Sequence, residues 1–392
     1  MKEKPISISK KEQVPLYERI RQILESARTS MARTVNTTQV VANWLIGREI
    51  VEEEQKGRRR AEYGEQLIAE LSDKLQKDFG VGYGTTNLKL FRQFFLAYPS
   101  FLKGRIGHTL SDQSLSSGEI PVPAILASPI EIGHTLCDQS WEPGLLHPNL
   151  SWSLYRHLLR VESPNARAFY EIEAIQNNWS ARELERQINS LLYERLALSK
   201  DKKGLMRLAK KGQEIQRPVD VFKDPVVMEF LDLPASPKLV ESNLEQALID
   251  SLQAFLLELG KGFAFVSRQE RITLEGDHFY IDLVFYHTIL KCFVLIDLKV
   301  GKLTHQDLGQ IQLYVNYFDR ERRTEVDNRT LGLILCTDKN DAVVRYTLGP
   351  DQEKKIFASR YKLYLPTEAE LRAELRRELR ELSQAPQPGG KT

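Results

Sequence analysis

Apolar residues recur every three to four positions through most of the first hundred residues, and this spacing predicts amphipathic helices rather than strands. Gly57 and Gly80 follow two of the periodic stretches, as expected where helices end. Either Thr85 or Thr86 is expected to cap a fourth helix, which Pro99 would close. The sequence thus predicts helices at 14–30, 36–55, 63–79 and from residue 85 or 86 onward.

The periodicity stops in residues 104–150, which are rich in Ser, Pro and Gly. The nonapeptide IGHTLSDQS recurs there as IGHTLCDQS, 26 residues later, and two copies are too few for a solenoid. We interpret this segment as an irregular duplicated insert. His108 and His134 occupy matching places in the copies, but a shared metal site is the weaker interpretation because neither has a Cys or carboxylate at ligand spacing.

Helical spacing returns after the insert. The pair Ser163-Pro164 offers an N-cap followed by a first-turn proline, and Ser180 with Glu183 has the pattern of a capping box. The predicted helices span 153–161, 165–176 and 181–198. Three short helices in succession fit a helix-turn-helix-like unit and ordinary packing equally well.

The pattern changes in the second half of the chain. Residues 200–240 are basic and contain prolines, which predicts a linker between a helical domain at 14–199 and a domain at 241–366. In the latter, runs rich in Val, Ile, Phe and Tyr alternate with helical stretches, so the expected fold class is multidomain, α followed by α/β. The predicted strands are 263–274, 279–288, 291–300, 330–337 and a possible fifth at 343–348, and the predicted helices are 244–259 and 304–322. A charged tail, 367–392, ends the chain.

Composition narrows the function classes. The 392 residues carry 55 Lys and Arg against 53 Asp and Glu, a formal net charge of +2, so the whole molecule lacks an electrostatic signature of nucleic-acid binding. No apolar run approaches the roughly 20 residues of a membrane span, and the N-terminus lacks the apolar segment of a signal peptide. Three cysteines without a Cys-x-x-Cys pair support neither a disulfide framework nor a zinc site, which favours a cytoplasmic location.

Charged residues embedded in two apolar strands are the strongest chemical signal. Asp282 lies within IDLVF, and Asp297 and Lys299 end the run FVLIDLK. A buried, unpaired carboxylate is costly, so these side chains need a partner or a function. A short connection predicts an antiparallel hairpin that brings Asp282 next to Asp297, with Lys299 on the same face. Two carboxylates and a lysine suit metal-assisted phosphodiester hydrolysis, although a plain Asp–Lys pair at a sheet edge is the structural alternative.

This pattern resembles the PD-(D/E)XK nuclease superfamily, whose restriction-endonuclease-like fold has a central mixed sheet flanked by helices. The segments FYIDLVFYH, CFVLIDLKVGKL and GQIQLYVNYFD are similar to the YhcG-type family of nucleases. The segment SWSLYRHLLRVESPNARAFYEIEAIQNNWSARELERQI resembles that family's helical N-terminal domain, except that Leu154 stands where the family usually has His. The resemblance covers roughly residues 15–100 and 150–350 and excludes the duplicated insert.

The resemblance implies roles for individual residues. Asp282 and Asp297 would be metal-binding carboxylates, with the carbonyl of Leu298 as a third ligand. Lys299 would position the attacking water and stabilise the charge that develops around phosphorus. The implied cofactor is Mg²⁺, with Mn²⁺ as an alternative, and the implied substrate is DNA.

Three further residues each have a functional and a structural interpretation. Glu245 matches the helix glutamate that completes the superfamily's site, but Ser242 to Glu245 also forms a capping box. Gln310 corresponds to a glutamine that several members turn toward the site, yet Gln306 and Gln310 also fit the polar face of an amphipathic helix. His287 could contact phosphate or simply end its strand, and we favour the second.

The predicted function is Mg²⁺-dependent hydrolysis of DNA, with the helical domain binding DNA or a protein partner and no membrane association. A non-catalytic DNA-binding or protein-interaction module that keeps the nuclease fold is the alternative. Because net charge gives no help, DNA contact would depend on local basic patches, for which a solvated surface is the competing interpretation. The candidate residues are Arg58, Arg59, Arg60, Lys202 and Lys203. The sequence predicts no oligomeric state.

Overall fold

The structure is a computed structural model that describes residues 16–29, 35–56, 61–102, 141–198, 202–233, 239–367 and 369–370. Most of the duplicated insert, with His108 and His134, and nearly all of the C-terminal tail lie outside the described residues. Contacts divide the chain after Ala181 into two units. The domain and linker boundaries inferred from the sequence stay predictions.

Four helices open the first unit, and each prediction of a helix there is confirmed. Ile20, Leu45 and Phe94 are examples of the apolar positions that these helices bury. The predicted threonine cap is wrong, because Thr85 is already helical and an extended Gly84 precedes it without a side-chain cap. The helices are α1 (Leu16–Thr29), α2 (Val35–Lys56), α3 (Ala61–Phe79) and α4 (Thr85–Ala97).

Helices α2 and α4 approach each other closely at Gly47. The backbone carbonyl of Phe91 in α4 lies so near this glycine that an added Cβ would sit 2.0 Å from its oxygen. Trp44 strengthens the same contact region, since its Nε1 donates a 2.9 Å hydrogen bond to the carbonyl of Tyr98. Packing, rather than an unusual backbone angle, therefore requires glycine at position 47.

Two shorter helices, α5 (Trp152–Leu158) and α6 (Pro164–Gln176), follow in the part of the first unit that the structure describes. Ser163 caps α6 as predicted, because its Oγ accepts from the N–H of Ala166. Leu154 of α5 is buried in the core, so this departure from the family pattern is accommodated by packing. All but the first residue of the next helix belongs to the second unit, and the helix-turn-helix-like interpretation of the three helices stays a prediction.

The single helix predicted at 181–198 is instead two helices, α7 (Ala181–Asn189) and α8 (Leu192–Leu198). The chain changes direction at Leu191, whose φ of 54° lies in the left-handed region. Leucine rarely adopts this conformation, so no local signal in the sequence marks the break. Within the predicted linker the chain forms a further helix, α9 (Lys202–Lys211).

A mixed sheet of six strands is the centre of the second unit, as predicted. Its strands are β1 (Val226–Val227), β2 (Phe263–Leu274), β3 (Asp277–His287), β4 (Cys292–Lys302), β5 (Leu331–Asp338) and β6 (Ile356–Lys362). They lie in the order β1-β6-β5-β4-β3-β2. Strands β2, β3 and β4 pair in antiparallel fashion, whereas β4, β5, β6 and β1 are parallel.

Helices cover both faces of the sheet. On one face, α10 (Glu241–Asp250) and α11 (Leu252–Leu259) bury Leu244 and Phe255 against the strands. On the other face, α12 (His305–Tyr317) connects β4 to β5 and forms a second apolar core with them. Among the helices that the structure describes, none is long and apolar enough to span a bilayer.

The fifth strand predicted at 343–348 is wrong, because these residues belong to a helix, α13 (Asp341–Thr347), between β5 and β6. The side chain of Asn340 accepts hydrogen bonds from the N–H groups of Ala342 and Val343 and so caps this helix. The cap outweighs the strand preference of the two valines that follow. The strand that pairs with β5 after this helix is β6, and β1 lies outside it.

A buried ion network fixes α7 and α8 within the second unit. Arg195 of α8 and Glu258 of α11 are both fully buried, with 2.5 Å between Nη1 and Oε1. Arg186 lies 3.2 Å from the other carboxylate oxygen, and Lys223 donates to the carbonyl of Glu258. Burial alone would raise the pKa of Glu258, but these cations lower it to about 2.

Candidate active site

The hairpin formed by β3 and β4 opens at the point where the two predicted aspartates lie. Backbone pairing runs from His287 and Cys292 as far as Leu283 and Ile296, which leaves the next residue on each strand, Asp282 and Asp297, at the fork. The predicted antiparallel hairpin is thus confirmed.

Asp282 occupies the gap that the separating strands leave. Its Oδ2 accepts a 2.8 Å hydrogen bond from the N–H of Leu298, a donor that has left the ladder with β3. Burial raises the pKa of Asp282, while the Leu298 hydrogen bond and the charge of Lys299 act in the opposite direction. The carboxylate therefore links the two strands at the fork.

Asp297 is 1% exposed, and its Oδ2 lies 3.1 Å from Nζ of Lys299. This oxygen accepts no hydrogen bond of good geometry from any described residue. Burial raises the pKa of Asp297 to about 7, with a further contribution from the charge of Asp282 that Lys299 counteracts. A buried carboxyl in this state would be stabilised as an anion by an additional cation.

Lys299 lies between two acidic groups. Besides Asp297, its Nζ faces Oε2 of Glu241 at 3.7 Å. Burial by itself would lower the pKa of Lys299, but the two carboxylates outweigh burial and hold the pKa above its ordinary value. The side chain is thus an ammonium group at neutral pH, suited to stabilise negative charge and to orient a water rather than to remove a proton.

Glu245 belongs to the site region and not to a helix cap. Helix α10 begins at Glu241 after an extended Val240, so Ser242 lies inside the helix and the capping-box interpretation is wrong. Oε2 of Glu245 accepts a hydrogen bond from Gln269, whose amide also contacts Asp282. Burial raises the pKa of Glu245, and the Gln269 hydrogen bond opposes this shift.

Sequence reasoning missed Glu241. It lies one turn before Glu245 on α10 and faces the same side. Besides its ion pair with Lys299, its Oε1 accepts a 3.2 Å hydrogen bond from the N–H of Val300. The spacing of four residues between the two glutamates was the available signal, but it does not by itself distinguish a site from a solvated helix face.

Gln310 reaches the site indirectly. Its Nε2 donates a 2.6 Å hydrogen bond to the hydroxyl of Tyr314, and this hydroxyl donates to the carbonyl of Tyr280 in β3. Burial raises the pKa of Tyr314, the Gln310 hydrogen bond lowers it, and the charges of Asp297 and Asp282 add to the upward shift. Gln306 is exposed.

The next candidate, His287, is not assembled with the carboxylates. His287 is the last residue of β3, where it is fully buried and its Nδ1 accepts from the N–H of Leu290, as the interpretation as a strand end predicts. Lys202 and Lys203 begin α9, and residues 58–60 lie outside the described residues. Their contribution to DNA binding stays a prediction.

The donors at the fork fit a divalent cation of the magnesium type. Among the described residues there is no group of three or more His, Cys, Asp and Glu side chains that could hold a metal, so a closed site made of side chains alone is not formed there. Mg²⁺ is commonly held by one or two carboxylates together with waters and phosphate oxygens. Asp282 and Asp297 supply that number, and Oδ2 of Asp297 accepts no hydrogen bond of good geometry from the described residues. The Leu298 carbonyl stays a predicted third ligand.

Comparison with known proteins gives the same assignment. A family model described as the YhcG PDDEXK nuclease domain matches residues 219–379, and one described as the DUF1016 N-terminal domain matches residues 19–195. The chain is 37% identical over 360 residues to a protein of Escherichia coli (strain K12) named "Putative nuclease YhcG", and the match covers 92% of each.

Two solved structures overlap part of the chain. One is a repair endonuclease from Pyrococcus abyssi, with 14% identity and a TM-score of 0.24 over 34% of this chain. The other is an EndoMS–dsDNA2 complex, with 12% identity and a TM-score of 0.24 over 35% of this chain. The overlap spans 50% of each solved chain. TM-scores this low do not establish a shared fold or function.

The family resemblance seen in the sequence is therefore confirmed along nearly the whole chain. Both family models match in the expected order, helical domain first and nuclease domain second. By its identity to the Escherichia coli protein and its coverage of that protein, the chain belongs to the YhcG family, whose C-terminal part is a PDDEXK nuclease domain.

Proposed function

We propose that this chain hydrolyses phosphodiester bonds of DNA with the help of Mg²⁺, which Mn²⁺ can replace. The observation that carries the proposal is the fork between β3 and β4, where Asp282, Asp297 and Lys299 converge. A buried carboxylate and a half-buried one beside an ammonium group are costly for a fold to maintain. A protein that only binds DNA or a partner has no need of them.

Each residue has a distinct task in the proposed reaction. A bound divalent cation would supply Lewis-acid activation of the scissile phosphate and acidify a water. Asp282 and Asp297 would hold the cation, and their position on neighbouring strands fixes its place relative to the backbone. The Lys299 ammonium would donate hydrogen bonds to the attacking water and to a non-bridging phosphate oxygen, where negative charge grows. Glu245 would hold a water at the same opening.

The helical domain is proposed to bind DNA or a protein partner. Its separate family model, which ends before the nuclease model begins, supports an independent role. Separately from the helical domain, Lys202 and Lys203, which begin α9 in the predicted linker, are proposed to contact phosphate. A cytoplasmic location is proposed from the cysteines, since Cys292 and Cys336 are free, buried thiols.

The test is cleavage of linear, branched and single-stranded DNA by the full chain with Mg²⁺, with Mn²⁺ or with EDTA. The same reactions contain the Asp282→Ala and Lys299→Ala variants. We expect cation-dependent cleavage by the wild-type chain and a loss of about 100-fold or more in each variant. Cleavage that survives both substitutions would place the activity elsewhere. Binding of DNA without cleavage under every condition would support the non-catalytic module instead.

A further inference from the structure

Gln269 connects two carboxylates of the proposed site. It lies in β2, and its Nε2 donates one hydrogen bond to Oδ1 of Asp282 at 3.1 Å and another to Oε2 of Glu245. Ionised carboxylates can only accept hydrogen bonds, so the nitrogen of the amide, and not its oxygen, must face both acids. One neutral side chain therefore links helix α10 to strand β3.

The backbone of Gln269 departs from the strand to make this link. Its φ is 48°, in the left-handed region that residues with a Cβ rarely adopt. The residues on either side keep their register, with Arg268 opposite Leu283 and Glu270 opposite Ile281. The unusual conformation is thus confined to the one residue that contacts both carboxylates. Local strain of this kind persists only where the surroundings impose it, and it is frequent at functional sites.

An amide suits this place better than a charged group. Two carboxylates on neighbouring elements repel each other and tend to move apart. A lysine between them would compete with a bound cation, and a third carboxylate would increase the repulsion. The amide of Gln269 satisfies one oxygen of each acid without adding charge. Gln269 does not bond to the second oxygen of Glu245, Oε1. The second oxygen of Asp282, Oδ2, accepts the hydrogen bond from the N–H of Leu298.

We infer that Gln269 is a positioning residue, which fixes the separation and orientation of Glu245 and Asp282 for a divalent cation. This role rests on the proposed function, because it acts through residues assigned to the cation site. Partners that orient metal ligands typically change metal affinity or activity by about 10- to 100-fold when they are removed. The loss should appear in cation affinity first, since Gln269 itself contacts neither the proposed nucleophile nor Lys299.

The experiment measures Ca²⁺ binding to the full chain by isothermal titration calorimetry, and the Mg²⁺ concentration that gives half-maximal DNA cleavage. The variants are Gln269→Met, which keeps the length of the side chain without its donors, and Gln269→Gly, which adopts a positive φ without strain. Gln246→Met is the matched control, because Gln246 is exposed and bonds to Asp250 and Arg268 rather than to the proposed site.

We expect both Gln269 variants to bind Ca²⁺ about 10- to 100-fold more weakly than the wild-type chain. The Mg²⁺ requirement for cleavage should rise by a similar factor, while the rate at saturating Mg²⁺ falls less. The Gln246→Met variant should match the wild type. If Gln269→Met does not fold, Gln269→Gly still decides the question, because removing the side chain also relieves the backbone.

The result that would overturn the positioning role differs from the result that would overturn the proposed function. Wild-type affinity for Ca²⁺ and an unchanged Mg²⁺ requirement in the Gln269→Gly variant would overturn the positioning role and leave the nuclease proposal intact. Absence of both cation binding and cleavage in the wild-type chain would overturn the proposed function, and the positioning role with it.

Discussion

The N–H of Leu298 donates a 2.8 Å hydrogen bond to the side chain of Asp282 at the point where β3 and β4 separate. A backbone carbonyl would serve this donor in a continuous ladder, so the carboxylate takes the place of main chain. Asp282 therefore has two separable functions. Its oxygen stabilises the fork, and its charge is available for a cation.

These two functions of Asp282 predict different results for two substitutions. Asp282→Asn keeps an oxygen for the Leu298 N–H and removes the charge, so we expect a folded protein that has lost cleavage by about 100-fold or more. Asp282→Ala also leaves the N–H of Leu298 without its acceptor, which should lower the free energy of unfolding by about 1–3 kcal/mol relative to Asp282→Asn. Thermal unfolding and cleavage assays on both variants check this, and equal unfolding temperatures would contradict the structural function.

The protonation state of Lys299 predicts the alkaline limb of the pH profile. The pKa of Lys299 lies above its ordinary value of 10.5, so the ammonium form is complete at lower pH and is lost only as the pH rises through that raised pKa. We expect no loss of cleavage from this group between about pH 7 and 9.

The variant Lys299→Arg examines the same point, because an arginine stays charged and cannot act as a base. It should keep measurable cleavage, whereas Lys299→Ala should not. An alkaline rise in the wild-type rate that Lys299→Arg abolishes would show instead that the lysine removes a proton from water.

The buried carboxyl of Glu171 should make the stability of the helical unit depend on pH. It is 2% exposed, and its Oε2 accepts a 2.7 Å hydrogen bond from the N–H of Gly144. Burial raises its pKa from 4.5 to about 7, against the lowering effect of that hydrogen bond. The folded state thus binds the proton more tightly than the unfolded state, and this stabilisation is present below pH 4.5 and lost as the pH rises to about 7.

The change at Glu171 is measured as the difference in unfolding free energy between Glu171→Gln and the wild-type chain. We expect this difference to move in favour of the variant by about 3 kcal/mol between pH 4.5 and 7.5. Glu162→Gln, at an exposed position, is the control and should show no such trend. A flat difference for Glu171→Gln across this range would be incompatible with the raised pKa.

The close packing at Gly47 predicts that alanine at this position destabilises the protein, whereas helix propensity alone predicts the opposite. Alanine normally stabilises a helix relative to glycine by roughly 0.5–1 kcal/mol. At position 47 the new Cβ would collide with the Phe91 carbonyl, so we expect Gly47→Ala to destabilise the protein by about 2 kcal/mol. Gly309 in α12 is the matched control, since nothing lies within 4 Å of its Cβ position. Its alanine variant should be neutral or more stable, and the same sign at both sites would contradict the account.

The sequence predicted those features that depend on local periodicity and composition. The apolar rhythm of α1 to α4 and the strand-like runs of β2 to β5 were sufficient to place these elements. The short connection between two apolar strands predicted the hairpin that brings Asp282 next to Asp297, because it fixes the register of the two strands. The separation of the strands at these residues was not predicted.

Features that depend on tertiary contacts were missed. The break at Leu191 uses a left-handed residue that leucine does not suggest, and the side-chain cap from Asn340 turns a valine-rich segment into a helix. The contacts of Glu241 with Lys299 and of Gln269 with two carboxylates join elements far apart in sequence. No spacing rule within one element could have predicted them.

The most direct measurement of the central claim is cleavage of DNA in Mg²⁺ by the wild-type chain and by Asp297→Asn, with thermal unfolding recorded on the same preparations. Asparagine keeps the shape of this buried side chain and removes the charge that the cation requires. The account predicts that Asp297→Asn unfolds within a few degrees of the wild-type chain and cleaves at least about 100-fold more slowly. A folded Asp297→Asn variant that cleaves at the wild-type rate would contradict it.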